Sequence, residues 1–298
     1  MSVQLEVLRT GPLSLFQDLG RPGLAGMGVG RSGAADRSSY LAVNGLLGNR
    51  RGVPVIESVL GGLSVRAIGD VVVAVGGAPG VVTVDGDAVD VRAAIPLADG
   101  QVLKIGTATS GLRSYLAVRG GFDVPAVLGS CSTDTLSGVG PPRIARGDRI
   151  PVRAAAEGAT GSGADDAHHL CADRDPEGAV LQVIPGPRDD WFAAPADLAV
   201  GEWVVSPHSN RVGVRLDRPP GADPGTAPAL RRRDSRELDS EGVTLGAIQV
   251  PPSGQPVLFL ADHPVTGGYP VIGVVRGLDV DRAAQVRPGQ RLRLHWRG

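Results

Sequence analysis

At 298 residues the chain is long enough for about two domains, and 42% of its residues are hydrophobic. Its 30 basic and 31 acidic side chains leave a net charge of -1, which removes the electrostatic case for a nucleic-acid or membrane partner and points to a small substrate. No apolar run approaches the roughly 20 residues of a membrane span, and the start Met-Ser-Val-Gln-Leu-Glu lacks the zones of a secretory signal, so a cytoplasmic protein is expected.

In chain order, 44 glycines and 24 prolines punctuate short runs of Val, Ile and Leu, the texture of strands joined by turns. Strands are expected at 3–8, 62–68, 71–75, 81–84, 102–105, 114–118, 180–184, 212–216, 255–261 and 290–295. Helices are few. The clearest covers 34–47, where Tyr40, Leu41, Val43 and Leu47 form an apolar stripe and Gly48-Asn49 supplies a stop; shorter ones are expected at 194–200 and 279–286. The fold class is therefore mainly β with few short helices. A small, polar stretch at 154–178 reads as a linker between a first β subdomain, 1–153, and a second, 179–298. It carries His168, His169 and Cys171, which read as solvated groups because a metal needs held geometry. A second Gly- and Pro-rich stretch, 219–239, reads as a surface excursion. Two pairs of segments look like copies: 32–37 with 206–211, and 97–105 with 286–294. A true duplication predicts two related small barrels.

Four polar, glycine-rich loops carry the candidate chemistry. The first, Gln17-Asp18-Leu19-Gly20-Arg21-Pro22-Gly23, runs on to Gly28-Val29-Gly30-Arg31-Ser32-Gly33. The glycine spacing there formally matches a dinucleotide fingerprint but lacks the strand that must precede it. Ser32 or Asp36 can cap the helix that follows. The second is Arg119-Gly120-Gly121-Phe122 with Gly129-Ser130-Cys131-Ser132-Thr133; Arg119 can clamp a carboxylate or phosphate. Cys131 has no base at a known spacing, and both cysteines read as inert thiols. The third and fourth are Ser206-Pro207-His208-Ser209-Asn210-Arg211 and Asp262-His263-Pro264-Val265-Thr266-Gly267-Gly268-Tyr269, each placing a histidine, an acid–base candidate, in a polar loop. Gln249 can face solvent, core or a ligand amide. Lys104 is the one lysine, so the chain has no Met-Lys-Met site for attached biotin.

These loops, with Phe16 to Gly23, Ala42-Val43-Asn44-Gly45, Glu57 to Gly62 and Gly246 to Pro256, resemble in order and over nearly the whole chain the signature blocks of the biotin-dependent carboxyltransferase family's second subunit, the type found as the 5-oxoprolinase C subunit or allophanate hydrolase subunit 2. The resemblance implies two cyclophilin-like β-barrel subdomains. It also implies a companion of the allophanate hydrolase subunit 1 type, a lactam-opening hydrolase as third subunit, and ATP used by the assembled complex. The expected reaction is opening of the lactam of 5-oxo-L-proline to L-glutamate, favoured because the chain carries no biotin carrier or carboxylase module. One alternative is a carboxyltransferase half that moves a carboxyl group from carboxybiotin to urea or a related amide. Another is a non-enzymatic partner of a kinase-inhibitor protein.

Both chemistries activate a carbonyl beside an amide nitrogen, which needs cations or N–H donors at a developing oxyanion and a group that moves a proton. Residue type and motif membership assign the electrostatic role to Arg119 and Arg211 and the proton to His208 or His263. Binding of the amide falls to Gln17, Asp18, Ser32, Asn44, Ser206, Asn210, Gln249, Thr266 and Tyr269. These loops are expected to share one cavity. Where relatives often read Gly-Ser-Arg-Ser-Thr, this chain has Cys131 in place of the arginine.

Overall fold

The computed structural model describes residues 2–78, 80–155, 178–223, 225–233 and 236–297. The chain divides into two compact units, one of Met1–Pro22, Ser32–Asp134 and Gly138–Arg174, the other of Gly23–Arg31, Thr135–Ser137 and Asp175–Gly298. Most of the expected linker, with His168, His169 and Cys171, lies outside the described residues.

The first unit contains β1 (Gln4–Thr10), β2 (Leu13–Gln17), α1 (Arg37–Leu46), β3 (Val55–Val59), β4 (Leu63–Ile68) and β5 (Val71–Gly77). It continues with β6 (Val82–Val84), β7 (Asp87–Ala88), β8 (Ile95–Leu97), β9 (Val102–Ile105), β10 (Arg113–Val118) and β11 (Arg149–Pro151). Two antiparallel sheets result, in the orders β11-β1-β4-β9-β6-β7 and β2-β3-β10-β5-β8. Leu5, Val7, Val65 and Leu103 of one sheet and Ile56, Val73, Val75, Leu116 and Val118 of the other share one core. The alternate residues of the second sheet, Val55, Ala74, Tyr115 and Ala117, pack against Tyr40, Val43 and Leu47 of the α1 segment. Covering both faces explains why every residue of β10 is buried. The neighbouring β3 likewise buries Ile56, Glu57 and Ser58 in succession.

The expected helix at 34–47 is shorter in the structure because its first residues are spent on tertiary bonds. The Ala34 amide donates to the Asp18 carbonyl at 2.9 Å and the Ala35 amide to Glu57 Oε2 at 3.0 Å. Asp36 then caps α1, accepting from the Ser39 amide at 3.0 Å and the Ser39 hydroxyl at 2.7 Å.

The second unit contains β12 (Ala179–Pro185), β13 (Trp203–Val205), β14 (Gly213–Asp217), β15 (Glu241–Gly242), β16 (Ala247–Gln249) and β17 (Val257–Phe259). They are followed by β18 (Thr266–Gly267), β19 (Val271–Val275), α2 (Gly277–Ala283) and β20 (Arg291–Trp296). Seven strands close a barrel in the order β12-β19-β16-β17-β14-β13-β20. The seam is the parallel pairing of β20 with β12, Leu292 beside Ala179 and Leu294 beside Leu181. Leu181, Val183, Trp203, Leu216, Ile248, Leu258, Leu292 and Leu294 fill its interior. The helix expected at 194–200 is a 3-10 turn, Pro195–Ala199, and the one at 279–286 is α2, two residues earlier at its start. The architecture is mainly β, as expected, with two α-helices among the described residues.

The excursion at 219–239 is pinned at its root. Arg218 stacks on the Trp203 ring at 3.6 Å and donates to the carbonyls of Asp197, Val200 and Pro228 at 2.8, 2.6 and 2.7 Å. Burial draws its pKa down to about 10.

One pair of look-alike segments folds alike. Before β9, Gly100 (φ 83) turns the chain, its amide donating to the Ala67 carbonyl while Gln101 caps the turn through Ala98 N at 2.9 Å. Before β20, Gly289 (φ 81) does the same with Val205 as partner and Gln290 bonded to Arg287 N at 3.0 Å. The other pair differs, since 32–37 leads into α1 and 206–211 into β14.

Candidate functional site

In the first unit, β2 delivers Gln17 and Asp18 into a loop that is stitched to 130–133. Asp18 accepts four hydrogen bonds: Oδ1 from the Ser130 hydroxyl (2.6 Å), the Ser132 hydroxyl (2.6 Å) and the Gly20 amide (2.7 Å), and Oδ2 from the Cys131 amide (2.7 Å). A carboxylate so saturated holds two loops together and has little capacity left for a ligand. Gln17 Nε2 donates to the Thr133 carbonyl at 2.9 Å, Ser32 Oγ to the same carbonyl at 3.4 Å, and Arg21 Nη2 to the Ser132 carbonyl. Ser32 adopts φ 54, a left-handed conformation that few non-glycine residues take. Gln17 Oε1 and Arg21 Nη1 are buried and meet no partner among the described residues.

Asn44, expected to bind substrate, is spent within the fold. Its Nδ2 donates to the Tyr40 and Val53 carbonyls at 3.3 Å each, and its Oδ1 accepts from Asn49 Nδ2 at 2.9 Å. Beside α1, Glu57 accepts from the Tyr115 hydroxyl at 2.9 Å and pairs with Arg113 at 3.5 Å. Burial, then the Glu57 charge, holds the Tyr115 hydroxyl well above its ordinary pKa, so it stays a donor. Cys131 is buried, with Sγ 3.3 Å from the Val124 carbonyl. Burial and then Asp18 push its thiol up, the opposite of what a nucleophile needs.

Arg119 lies elsewhere in this unit. It lines a cavity of about 610 Å³ with Val3, Asp70, Val71, Val72, Leu97 and Val152, among others. None of Gln17, Asp18, Ser32 and Asn44 lines it, so the expected single hollow does not hold these residues together with Arg119.

In the second unit, the strand ends of β14 and β17 bring Arg211 and Asp262 together. The guanidinium grips the carboxylate with both arms, Nε to Oδ2 at 2.8 Å and Nη2 to Oδ1 at 3.0 Å. Asp262 Oδ2 also accepts from the Thr135 amide (2.9 Å) and hydroxyl (2.7 Å). The neighbouring His263 has Nδ1 2.7 Å from the Pro264 carbonyl and stacks on Phe259, centroids 5.9 Å apart. Because a carbonyl only accepts, Nδ1 is the donor in this contact. Ser206 is buried and His208 exposed, and the His208 amide donates to Ser206 Oγ at 3.5 Å. Asn210 Oδ1 shapes the turn, accepting from the Val212 amide at 2.8 Å. Gln249 is buried and donates to the Tyr269 carbonyl at 2.9 Å, while Thr266, on β18, and the Tyr269 ring face outward.

Sequence reasoning places Asp262 in a candidate loop and Glu57 in a signature block but gives neither a role, and it passes over Thr135. For Glu57 the signal is a charge among Val55, Ile56 and Val59, since a buried acid requires partners. For Thr135 no local signal exists. No group of three or more His, Cys, Asp or Glu that could hold a metal occurs among the described residues. The Gly28 to Gly33 segment does not fit a phosphate loop, because a 3-10 turn, Ala25–Met27, and not a strand precedes it. No helix among the described residues is long and apolar enough to cross a membrane.

The family described as carboxyltransferase domain, subdomain A and B, matches residues 27–296. The chain is 35% identical over 292 residues to the 5-oxoprolinase C subunit of Escherichia coli (strain K12), a match covering 96% of this chain and 89% of that protein. It is 32% identical over 295 residues to the 5-oxoprolinase C subunit of Haemophilus influenzae, over 97% of this chain and 90% of that protein. The crystal structure of Kluyveromyces lactis urea carboxylase is similar with a TM-score of 0.86 at 27% identity, over 98% of this chain and 27% of that one.

Proposed function

The chain belongs to the carboxyltransferase domain, subdomain A and B, family, and on that premise we propose that it is a subunit of a cytoplasmic, ATP-dependent 5-oxoprolinase. In this reading it acts with a companion of the allophanate hydrolase subunit 1 type and a lactam-opening third subunit to convert 5-oxo-L-proline to L-glutamate. One observation carries the choice: the likeness to the 5-oxoprolinase C subunit runs nearly end to end on both sides, 96% of one chain and 89% of the other. A second reading, transfer of a carboxyl group to urea or a related amide, has the fold likeness to urea carboxylase in its favour, yet that likeness spans 27% of the larger chain.

Opening a lactam develops negative charge on the carbonyl oxygen and needs a proton at the leaving nitrogen. In the first unit we assign Arg119 to substrate charge; in the second unit His263 or the exposed His208 is the candidate for moving a proton. The candidates for contact with an amide are, in the first unit, Gln17, whose buried Oε1 meets no partner among the described residues, and, in the second, Ser206, Gln249, Thr266 and Tyr269. Asp18, Ser32, Asn44, Asn210 and Arg211 act through the fold, since the hydrogen bonds above already occupy them. ATP enters as a ligand of the assembled complex. The test is to purify this chain with its companion and third subunit and offer, separately, 5-oxo-L-proline with ATP and urea with carboxybiotin as carboxyl donor. Glutamate release with no consumption of urea supports the assignment; the reverse selects the second reading.

A further inference from the structure

Arg119 leaves the end of β10 from a backbone clamped on both sides. Asn49 Nδ2 donates to the Val118 carbonyl at 2.8 Å and its Oδ1 accepts from the Gly120 amide at 2.9 Å, while the Arg119 amide donates to the Val72 carbonyl at 2.8 Å. Gly120 and Gly121 take φ 88 and 84. A side chain at Gly120 would strike the Arg153 carbonyl, and one at Gly121 the Val53 side chain. The guanidinium therefore departs from a fixed origin.

The cavity it lines is walled largely by Val71, Val72, Leu97 and Val152. Of its two other charged residues, Asp70 is exposed to solvent and accepts from the Asp99 amide at 3.0 Å, and Arg153 Nε donates to Asp123 at 3.0 Å. Arg119 Nε is buried with no partner among the described residues. Arg119 as a whole is half-buried, but the inner edge of its guanidinium lies against apolar walls and lacks an acceptor among those residues, and a carboxylate is the group whose geometry matches its fork. Polyphosphates suit the cavity less, because Asp70 stands in the same lining.

We propose that the Arg119 cavity binds a small monocarboxylate with a compact apolar body. The carboxylate meets the Arg119 guanidinium and the body lies against Val72, Leu97 and Val152. The class follows from the cavity alone. 5-Oxo-L-proline shares the carboxylate and the compact five-membered ring but adds a polar lactam edge, and naming it as the occupant rests on the proposed function.

The test is an amide-resolved NMR titration of the full chain with cyclopentanecarboxylate, which has no lactam, and with cyclopentanecarboxamide, which has no charge. The acid is expected to bind at least about tenfold more tightly than the amide, as loss of one charge-assisted pair requires. It should perturb the amides of Val72, Leu97, Gly120 and Val152. Arg119→Met should abolish the difference, and Arg119→Lys should retain part of it. Equal binding of acid and amide, perturbations confined to other residues, or an unchanged preference in Arg119→Met overturns the proposal. Should Arg119→Met fail to fold by thermal melting, the acid–amide comparison and Arg119→Lys decide. If cyclopentanecarboxylate binds and 5-oxo-L-proline does not, the site stands and its link to the proposed function falls.

Discussion

Arg211 and Asp262 face each other as two planar forks, 2.8 and 3.0 Å apart, with side chains 2% and 0% exposed. Their value lies in mutual compensation, because either charge alone in that environment is costly. Arg211→Ala is expected to lower unfolding stability by about 3–5 kcal/mol, read as a shift of the urea midpoint. Arg211→Lys, which keeps charge but cannot fork, should fall between. A midpoint unmoved by Arg211→Ala would show that the pair holds nothing together.

Asp18 is the corresponding clasp of the first unit. In Asp18→Ala the hydroxyls of Ser130 and Ser132 and the amides of Gly20 and Cys131 lose their acceptor, and a buried group left unsatisfied costs about 1–3 kcal/mol. Hydrogen exchange at Gly20 and Cys131 should accelerate in Asp18→Ala and less so in Asp18→Asn. Unchanged protection at both amides would contradict this account.

The Cys131 thiol makes stability depend on pH in a defined direction. Its folded pKa lies above the ordinary value because of burial and then Asp18, so the folded state keeps the proton that the unfolded state releases. That contribution is complete below the unfolded cysteine pKa of about 8.5 and is lost as pH rises through the folded value. Between neutral and alkaline pH, stability should fall more steeply with Cys131 present than in Cys131→Ser, both compared in a Cys171→Ser background. Parallel curves would refute the burial argument.

Two glycines of the same conformation separate backbone strain from collision. Gly129 (φ 79) has open space where a Cβ would be, whereas Gly120 (φ 88) has the Arg153 carbonyl there. Gly129→Ala should cost about 1–2 kcal/mol, the left-handed penalty alone, and Gly120→Ala distinctly more, measured by thermal denaturation. Equal losses would mean that the contact around Arg119 yields freely.

Much of the fold is legible in the sequence where one physical rule acts alone. The runs that became β9 and β20 alternate, follow a glycine turn, and sit within a residue of their expected places. The strands Val55–Val59 and Val71–Val75 show the contrast: the second is continuous valine and alanine, while the first hides behind Pro54 and the buried Glu57. The candidate loops were legible as polar and glycine-rich, but not what each side chain does. Asp18 and Arg211 look like free chemistry in sequence. Their partners, Ser130 and Asp262, come from 112 and 51 residues away and only the folded chain reveals them. Arg119 carries the reverse lesson, because a buried Nε that meets no partner among the described residues is visible only once its neighbours are in place.

The most direct measurement is ATP-dependent glutamate formation from 5-oxo-L-proline by the purified complex, with each subunit left out in turn. Glutamate that forms with all subunits and stops when this chain alone is omitted is the predicted result. Full turnover without this chain, or none in the complete mixture, would contradict its assignment as a 5-oxoprolinase subunit.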